Sequence, residues 1–336
     1  MPQINRRSFL KASGAAGAVG LSGLAGCVGG IGGGGTPTIG LAWVVPVENF
    51  GSLMGVPELQ DELPNLGDAY EFESISVSST PDGVQTMAAG DADIALMTTV
   101  SFANAVAEQP VPGGITAIAT DFWDAHPDYY GFQVFSAPDS DITGPEDLRN
   151  KQLGVNATGT GIHAVYVKQL REVGIDPESE VEFVELGFPA FTQAIQDGRF
   201  DAGIYPALLA GQARAAEFTE VFSSQNVFDP YPFAYNVASN NSLNEKADAM
   251  AAWAEDFAFL VDYCRNNKQE IVPPAASQFE LPEAALGYFL TEDDYFREDV
   301  HMDVDALNAI MEQMVELGFV SESRDYSEFA SNEYLP

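Results

Sequence analysis

Short apolar runs alternate with amphipathic segments along most of the chain. The runs at 38–43 and 152–157 have the length of buried strands. The segment 162–173 places apolar side chains on one helical face, and Gly174 follows as a stop. Strands that alternate with helices are typical of an α/β fold with mostly parallel sheets. We therefore predict an α/β protein.

Two segments, 84–97 and 191–205, share the order of helix end, glycine, aspartate and apolar strand. Gly90 corresponds to Gly198 and Asp93 to Asp201, both at an offset of 108 residues. A glycine at this point supplies the left-handed conformation that ends many helices. Such connections are common in α/β proteins, but the shared Gly-x-x-Asp favours two related lobes.

The body of the chain is long enough for two lobes with separate cores, since roughly 300 residues follow the N-terminal region. Two β-like runs, at 130–136 and 232–239, are predicted to carry the chain from one lobe to the other. We expect residues 36–133 and 234–336 to form lobe 1, and residues 134–233 to form lobe 2.

The first 26 residues have the pattern of an export signal. Arg6 and Arg7 open a twin-arginine motif, and a weakly apolar run of small residues follows at 12–25. This run is shorter than the roughly 20 residues that span a bilayer. Residues 1–26 are therefore predicted to be a twin-arginine (Tat) signal peptide.

The signal ends in Leu24-Ala25-Gly26-Cys27, which has the order of a lipobox. We expect Cys27 to become the first mature residue and to carry a lipid. The glycine-rich stretch 27–35 would then be a flexible tether that holds the body at the membrane surface. A chance cysteine in an ordinary signal peptide is the alternative.

The charge is strongly negative, with 50 acidic and 14 basic residues and a net charge of −36. Because 46% of the residues are hydrophobic and 11% aromatic, disorder is disfavoured. Acids spread over a whole surface keep a protein dispersed at high salt, so we predict a halophilic protein. Nucleic-acid binding needs basic patches, and the composition argues against it.

The two cysteines and three histidines show no spacing typical of zinc sites. Cys264 shares an apolar helical face with Met250, Phe257 and Val261, and we expect it to be a buried core residue. Neither a metal nor a cofactor is predicted.

Four stretches in order, 89–95, 139–155, 170–177 and 198–202, resemble the periplasmic binding proteins of nitrate, taurine and alkanesulfonate importers. The resemblance covers about 40–240. It implies a type II periplasmic-binding-protein fold of two Rossmann-like lobes joined by two hinge crossovers. It also implies a permease and an ATPase as partners of a monomeric, non-enzymatic binding protein. With the N-terminus and the charge, it suggests a Tat lipoprotein of haloarchaeal type on the extracellular face of the cell membrane.

Ligands of open α/β sheets bind beyond the carboxyl ends of the strands, and two facing lobes would bring these ends to one cleft. Family members place ligand contacts on the matching loops. The candidate ligand-binding residues are Trp43, Glu48, Thr98, Thr99, Asp121, Phe122, Trp123, Thr158, Gly159, Thr160, Phe188 and Tyr205.

The chemistry of these loops leaves the ligand open. Thr158-Gly159-Thr160-Gly161 precedes a helix N-terminus, which would attract a sulfonate, taurine or nitrate, although plain helix capping is the alternative. No Lys or Arg occurs in the candidate loops, while Glu48, Asp121 and Asp124 do. A neutral aromatic or heterocyclic solute, such as a pyrimidine precursor of thiamine, therefore stays possible.

Two other classes of function compete with a binding protein. Gly159-x-Gly161-x-x-Ala164 matches a dinucleotide fingerprint and would suit an exported enzyme, but no Ser/His/Asp or Cys/His set accompanies it. A structural or adhesive lipoprotein would show no stabilisation by any small ligand. We expect a binding protein rather than an enzyme.

Overall fold

The structure is a computed structural model that describes residues 35–126, 131–284, 286 and 299–336. The predicted signal peptide, Cys27 and all of the tether except Gly35 lie outside these residues, as does the start of the first predicted crossover run. No helix within the described ranges combines the length and the apolar character that crossing a membrane requires.

Five strands form the first sheet, in the spatial order β2-β1-β3-β10-β4. β1 runs parallel to β2 and β3, whereas β10 runs antiparallel to β3 and β4. The strands are β1 (Thr38–Trp43), β2 (Glu71–Ser76), β3 (Ile94–Thr98), β4 (Ile115–Asp124) and β10 (Tyr231–Ser239).

The second sheet repeats this arrangement in the order β7-β6-β8-β5-β9. Here β6 is parallel to β7 and β8, and β5 is antiparallel to β8 and β9. The strands are β5 (Gln133–Ser136), β6 (Gln152–Val155), β7 (Glu182–Glu185), β8 (Ala202–Tyr205) and β9 (Thr219–Ser223).

In each sheet, the antiparallel inner strand is the first strand that the chain forms after it crosses from the other lobe. The chain leaves the first sheet after β4 and enters the second with β5, then returns from β9 to the first sheet with β10. The predicted α/β fold of two lobes with two crossovers is confirmed. The lobe boundaries at 133/134 and 233/234 stay predictions; they fall inside β5 and β10.

Helices cover both sheets. They are α1 (Pro57–Gln60), α2 (Thr80–Ala89), α3 (Thr99–Glu108), α4 (Gly161–Glu172), α5 (Phe191–Gln196), α6 (Ala207–Ala215), α7 (Asn240–Glu245), α8 (Ala247–Asn266), α9 (Lys268–Phe279) and α10 (Val304–Glu316). Short 3-10 helices occur at Phe50–Gly55, Pro145–Leu148, Phe188–Ala190, Ser224–Asn226 and Tyr326–Phe329.

The two copies of the predicted internal repeat share a glycine conformation and an aspartate hydrogen bond. Gly90 ends α2 at φ 83°, and Gly198 has φ 67°, both in the left-handed region that favours glycine. Asp93 Oδ2 accepts from the amide of Gly40 in β1 at 2.9 Å. Asp201 Oδ2 accepts from the amide of Gln152 in β6 at 2.7 Å. The shared aspartate thus fixes the first parallel strand of each lobe.

The core of each lobe lies between its sheet and the flanking helices. Cys264 is fully buried in α8, as expected. On the same helix the rings of Trp253 and Phe257 stack with their centroids 5.4 Å apart. The C-terminal helix α10 buries Leu307 and Met311. Because the interior of each lobe is well packed, the gap between the lobes is the place where a ligand can be enclosed.

Candidate ligand-binding site

A small cavity lies where the carboxyl ends of the parallel strands of both sheets meet. Its walls combine the loop after β1, the ends of β3 and β4, the two crossovers and the N-terminus of α4. The lining residues are Val44, Val45, Glu48, Asn49, Thr80, Leu96, Thr98, Phe122, Phe132, Asn156, Thr160, Ile162, Phe188 and Phe233. Glu48 is the one acidic or basic residue among these described lining residues.

The loop after β1 is held in place by Asn49. Its Oδ1 accepts from the amides of Val44 at 2.8 Å and Val45 at 2.7 Å. Val47 follows in the same loop, has φ 68° and donates its amide to Ser52 Oγ at 2.8 Å. The amide of Phe50, at the end of the loop, donates to the carboxylate of Asp121. A β-branched residue in the left-handed region is a true conformational outlier, and such strain concentrates at binding sites.

The N-terminus of α4 brings lobe 2 to the cavity. Thr160 precedes the helix, but its hydroxyl donates to the carbonyl of Ala157 at 2.9 Å and does not cap the first turn. The amide of Gly161 donates to Thr98 Oγ1 of β3 at 3.3 Å. The first-turn amides of α4 and its dipole therefore face the end of β3 across the cleft.

Gly161 also marks the tightest approach between the lobes. A Cβ at this residue would lie 2.7 Å from Phe233 Cε2 and 3.2 Å from Thr98 Cβ. Since Phe233 and Thr98 belong to the first sheet, this contact requires the lobes to be closed. The structure therefore represents the closed arrangement of the cleft.

Phenylalanine rings form one continuous wall of the cavity. The ring of Phe233 stacks on Phe122 with centroids 5.4 Å apart and contacts Phe132 at 4.7 Å. Phe188 adds a ring from lobe 2. The wall offers apolar area and π-faces to a ligand.

Five of the twelve predicted ligand-binding residues line this cavity: Glu48, Thr98, Phe122, Thr160 and Phe188. Their role in binding stays a prediction. The other seven lie outside the cavity lining. Four of them belong to strands, Thr99 starts α3, and Thr158 and Gly159 lie on the loop before α4; the strand residues are Trp43, Asp121, Trp123 and Tyr205.

In lobe 1, Trp43 donates its Nε1 hydrogen to Ser74 Oγ at 2.8 Å and meets Phe279 edge-on. Thr99 donates to the carbonyl oxygens of β10 at 3.1 Å. The carboxylate of Asp121 accepts from the amide of Phe50 at 3.1 Å. Trp123 is half-buried against the core.

In lobe 2, Thr158 donates both its amide and its hydroxyl to Glu185, at 2.7 and 2.6 Å. Gly159 lines a second, more open groove, and its amide donates to His163 Nδ1 at 3.0 Å. Burial lowers the pKa of His163 to about 4, so its ring is neutral at ordinary pH. Tyr205 packs inside lobe 2.

Nine lining residues were missed from the sequence. They are Val44, Val45, Asn49, Thr80, Leu96, Phe132, Asn156, Ile162 and Phe233. Asn156 directly follows β6, so its position at a strand end was a usable signal. Its Oδ1 is buried, with no hydrogen-bond partner within the described part of the chain. Phe233 lies in a run that was interpreted only as a crossover.

A buried carboxyl group lies where both crossovers meet. Ser224 donates to Asp124 Oδ1 at 2.7 Å, and Tyr231 donates to Asp124 Oδ2 at 3.3 Å. The amide of Phe132 donates at 3.4 Å. Complete burial raises the pKa of Asp124 to about 7, and these hydrogen bonds oppose the shift only in part.

Among the described residues, no group of three His, Cys, Asp or Glu side chains is placed to hold a metal ion.

Comparison with known structures places the fold among periplasmic binding proteins. The alkanesulfonate-binding protein SsuA from Xanthomonas axonopodis pv. citri, bound to MOPS, is 10% identical with a TM-score of 0.70, over 88% of this chain and 98% of that one. The nitrate-binding protein NrtA from Synechocystis PCC 6803 is 9% identical with a TM-score of 0.73, over 89% and 87%. At these identities the likeness shows the fold alone.

An enzyme has the same fold. The desulfurization enzyme DSZB is 14% identical with a TM-score of 0.62, over 89% of this chain and 97% of that one. A search of curated proteins found no significant match.

Two family models match the chain itself. Residues 3–23 match the twin-arginine translocation signal sequence, which confirms the predicted Tat signal and indicates export to the extracellular side. Residues 57–253, more than half of the chain, match the model described as "ABC transporter, phosphonate, periplasmic substrate-binding protein". The predicted resemblance named nitrate, taurine and alkanesulfonate importers; nitrate- and alkanesulfonate-binding proteins occur here as structural neighbours only. The chain belongs to the phosphonate family of periplasmic substrate-binding proteins of ABC transporters.

Proposed function

We propose that this protein is a lipid-anchored, extracellular binding protein that captures a small solute in the cavity between its lobes. It delivers that solute, as a monomer, to a membrane permease driven by an ATPase. The observation that carries the proposal is the cavity itself, whose polar groups come from both lobes. Thr98 ends β3 of lobe 1, and Thr160 precedes α4 of lobe 2.

The ligand class we propose is a small organic solute with an oxyanion head, such as a sulfonate or phosphonate. The first-turn amides of α4 supply donors for such a head. The hydroxyls of Thr98 and Thr160 donate to Ser101 and Ala157 in this structure, and each can rotate to donate to a ligand instead. The family's description names phosphonate, and the structural neighbours bind an alkanesulfonate buffer and nitrate. These likenesses support an oxyanion head without identifying the solute.

An aromatic or heterocyclic solute is the second candidate. The wall formed by Phe122, Phe132 and Phe233, to which lobe 2 adds Phe188, would accept a flat ring by stacking. The phenylalanine wall is the observation that supports an aromatic or heterocyclic solute.

Capture works through closure of the lobes. A ligand that contacts Thr98 on one lobe and the α4 N-terminus on the other stabilises the closed state by its differential affinity for that state. The permease can then distinguish loaded from empty protein by the relative position of the two lobes.

A thermal-shift screen at high salt tests the function. The panel contains sulfonates, phosphonates, nitrate and aminopyrimidines. A ligand at a hundredfold excess over its Kd stabilises the folded state by about 2.7 kcal/mol, which corresponds to a rise of roughly 5 °C in Tm for a chain of this size. At least one member should produce such a rise. A flat response across the whole panel would count against a ligand-binding cavity and favour a structural lipoprotein.

A further inference from the structure

The turn that ends α10 contacts lobe 2 outside the cavity. α10 itself packs against α3 and β10 of lobe 1. The three residues that follow it, Leu317, Gly318 and Phe319, line the second groove together with His163 and Arg171 of α4 in lobe 2. None of these five residues lines the cavity. The lobes are therefore joined at a place that lies apart from a ligand in the cavity.

This 317–319 turn has the geometry of a Schellman motif. The amide of Gly318 donates to the carbonyl of Val315 at 3.0 Å, and the amide of Phe319 donates to that of Met314 at 2.9 Å. Gly318 has φ 79°, in the left-handed region that the motif requires. Because these bonds fix the direction in which the chain leaves α10, they also fix the position of Phe319 beside α4.

Two contacts cross from the turn to α4. Nη1 of Arg171 donates to the carbonyl oxygen of Leu317 at 3.0 Å. The ring of Phe319 meets the ring of His163 edge-on, with the centroids 5.1 Å apart. A guanidinium beside the last carbonyl groups of a helix also interacts favourably with the negative end of the helix dipole. One charge-assisted hydrogen bond and one aromatic contact thus attach lobe 1 to lobe 2 here.

The two contacts are spread along one face of α4. His163, Val167 and Arg171 are four residues apart, and all three line the groove. At a rise of 1.5 Å per residue, His163 and Arg171 are separated by about 12 Å along the helix axis. Contacts at two separate points oppose a rotation between the lobes as well as their separation.

We propose that the 317–319 turn is a latch, through which Arg171 and Phe319 stabilise the closed arrangement of the lobes whichever solute is bound. Both are positioning residues, which act on capture through the relative position of the lobes. The inference rests on the proposed function, since it concerns the closure by which a solute is captured. A protein whose closed state is less populated binds each ligand more weakly by the same fraction. Loss of the latch should therefore lower all affinities by one common factor.

The variants Arg171→Met and Phe319→Ala each remove one of the two contacts. The probes are methanesulfonate, methylphosphonate, nitrate and 2-aminopyrimidine, one from each class of the screening panel, in titration calorimetry at constant high salt. Each variant should weaken the binding of every probe that binds by the same factor, about 2- to 10-fold, the range for one hydrogen bond or one aromatic contact. Arg171 is exposed, so Arg171→Met keeps the test open if Phe319→Ala does not fold.

Arg149→Met is the matched control. Arg149 also donates to a carbonyl beyond the end of a helix, that of Gly174 at 3.0 Å, and it forms an ion pair with Glu180. All three residues belong to lobe 2, so the substitution removes an equal charge and a similar bond without touching the contact between the lobes. The affinity for every probe should stay unchanged.

The pKa of His163 gives a measurement that needs no ligand. Its Nε2 is buried, with no hydrogen-bond partner within the described residues. Burial lowers the pKa of His163 to about 4, and the charge of Glu185 opposes this shift in part. The charged residues that share the groove with it are Arg171 and Glu178. Separation of the turn from α4 would admit water to the ring and raise its pKa towards the ordinary value of 6.5.

NMR titration of the imidazole protons measures this pKa, because the chain has three histidines and His163→Gln identifies the signal of His163. In the ligand-free protein the pKa should be near 4, and it should rise in Arg171→Met, whose substitution lies two helical turns from the ring. Arg149→Met should leave it unchanged, since high salt screens the direct effect of a lost charge.

An unchanged affinity in Arg171→Met, or a loss that differs from probe to probe, would overturn the latch. The proposed function fails separately, when no member of the panel stabilises the protein. In that case the titration of His163 still tests the latch. A higher pKa in Arg171→Met than in the native protein would support it, and equal pKa values in the two proteins would overturn it.

Discussion

Asp124→Asn removes the buried carboxyl group at the meeting point of the two crossovers. In the native protein Asp124 accepts from Ser224 and Tyr231 and is completely buried, and its pKa is raised from 3.8 to about 7. The folded state therefore binds a proton more tightly at this group than the unfolded chain does. An amide of the same shape cannot ionise and has no such dependence on pH.

The direction in which pH changes the free energy of unfolding follows from proton linkage. Between pH 4 and 7 the folded state holds more protons at Asp124 than the unfolded state, so the free energy of unfolding falls as pH rises. The contribution is fully present below the unfolded pKa of about 3.8 and is lost by about pH 7. A shift of about three pKa units at about 1.4 kcal/mol each amounts to roughly 4 kcal/mol for this group.

Urea denaturation of both proteins, followed by tryptophan fluorescence at unit steps from pH 4 to 8 and constant salt, measures the effect. The difference in unfolding free energy between Asp124→Asn and the native protein should be small at pH 4. It should rise to about 4 kcal/mol in favour of the variant near pH 7. Taking the difference cancels the titration of the many other acids.

Asp147→Asn is the control of opposite sign. Backbone hydrogen bonds from Thr143 and Gly144 lower the pKa of Asp147, so its contribution is present above its unfolded pKa and is lost as pH falls. The pKa window of Asp147 lies below about pH 4, so the difference curve of Asp147→Asn should be nearly level from pH 4 to 8. A difference curve for Asp124→Asn that is equally level, or that moves against the variant as pH rises, would refute the reasoning.

Two further predictions concern closure and anchoring. Gly161→Ala would place a Cβ 2.7 Å from the ring of Phe233 only in the closed state, and overpacking of this kind costs about 1–3 kcal/mol. We expect a weakening of ligand affinity by about 5- to 150-fold in calorimetry with an unchanged Tm of the empty protein. Gly211→Ala in α6, where a Cβ meets no atom within 4 Å, should bind normally, and normal binding by Gly161→Ala would contradict the closed contact. Cys27→Ser should release the exported protein from the membrane fraction, whereas Cys264→Ser, in the core of α8, should stay attached. Retention of Cys27→Ser on the membrane would refute the lipid anchor.

The sequence determined the features that local patterns can encode. Strand and helix periodicity predicted the α/β class, and Gly90, Asp93, Gly198 and Asp201 predicted two related lobes because each copy uses the same local stop and turn. The structure adds the reason for the aspartates, which bond the amides of Gly40 and Gln152. The Tat motif was predictable for the same reason, since its order along the chain is the signal.

Only the tertiary structure decided which side chains meet in the cleft. Trp43 and Thr99 lie at or just beyond strand ends, as Glu48 and Thr98 do, yet they bond to Ser74 and to the β10 backbone. Position on a loop gives no direction to a side chain, which depends on neighbours distant in sequence.

The aromatic wall and the closed contact show the same limit. Phe233 was predicted as part of a crossover, and it became a cavity wall because β10 is inserted between β3 and β4. Gly161 meets Thr98 across 63 residues of sequence, a pairing that depends on how two separately folded lobes close on each other. Local sequence therefore specified the lobes and their export, while packing between the lobes specified the cavity.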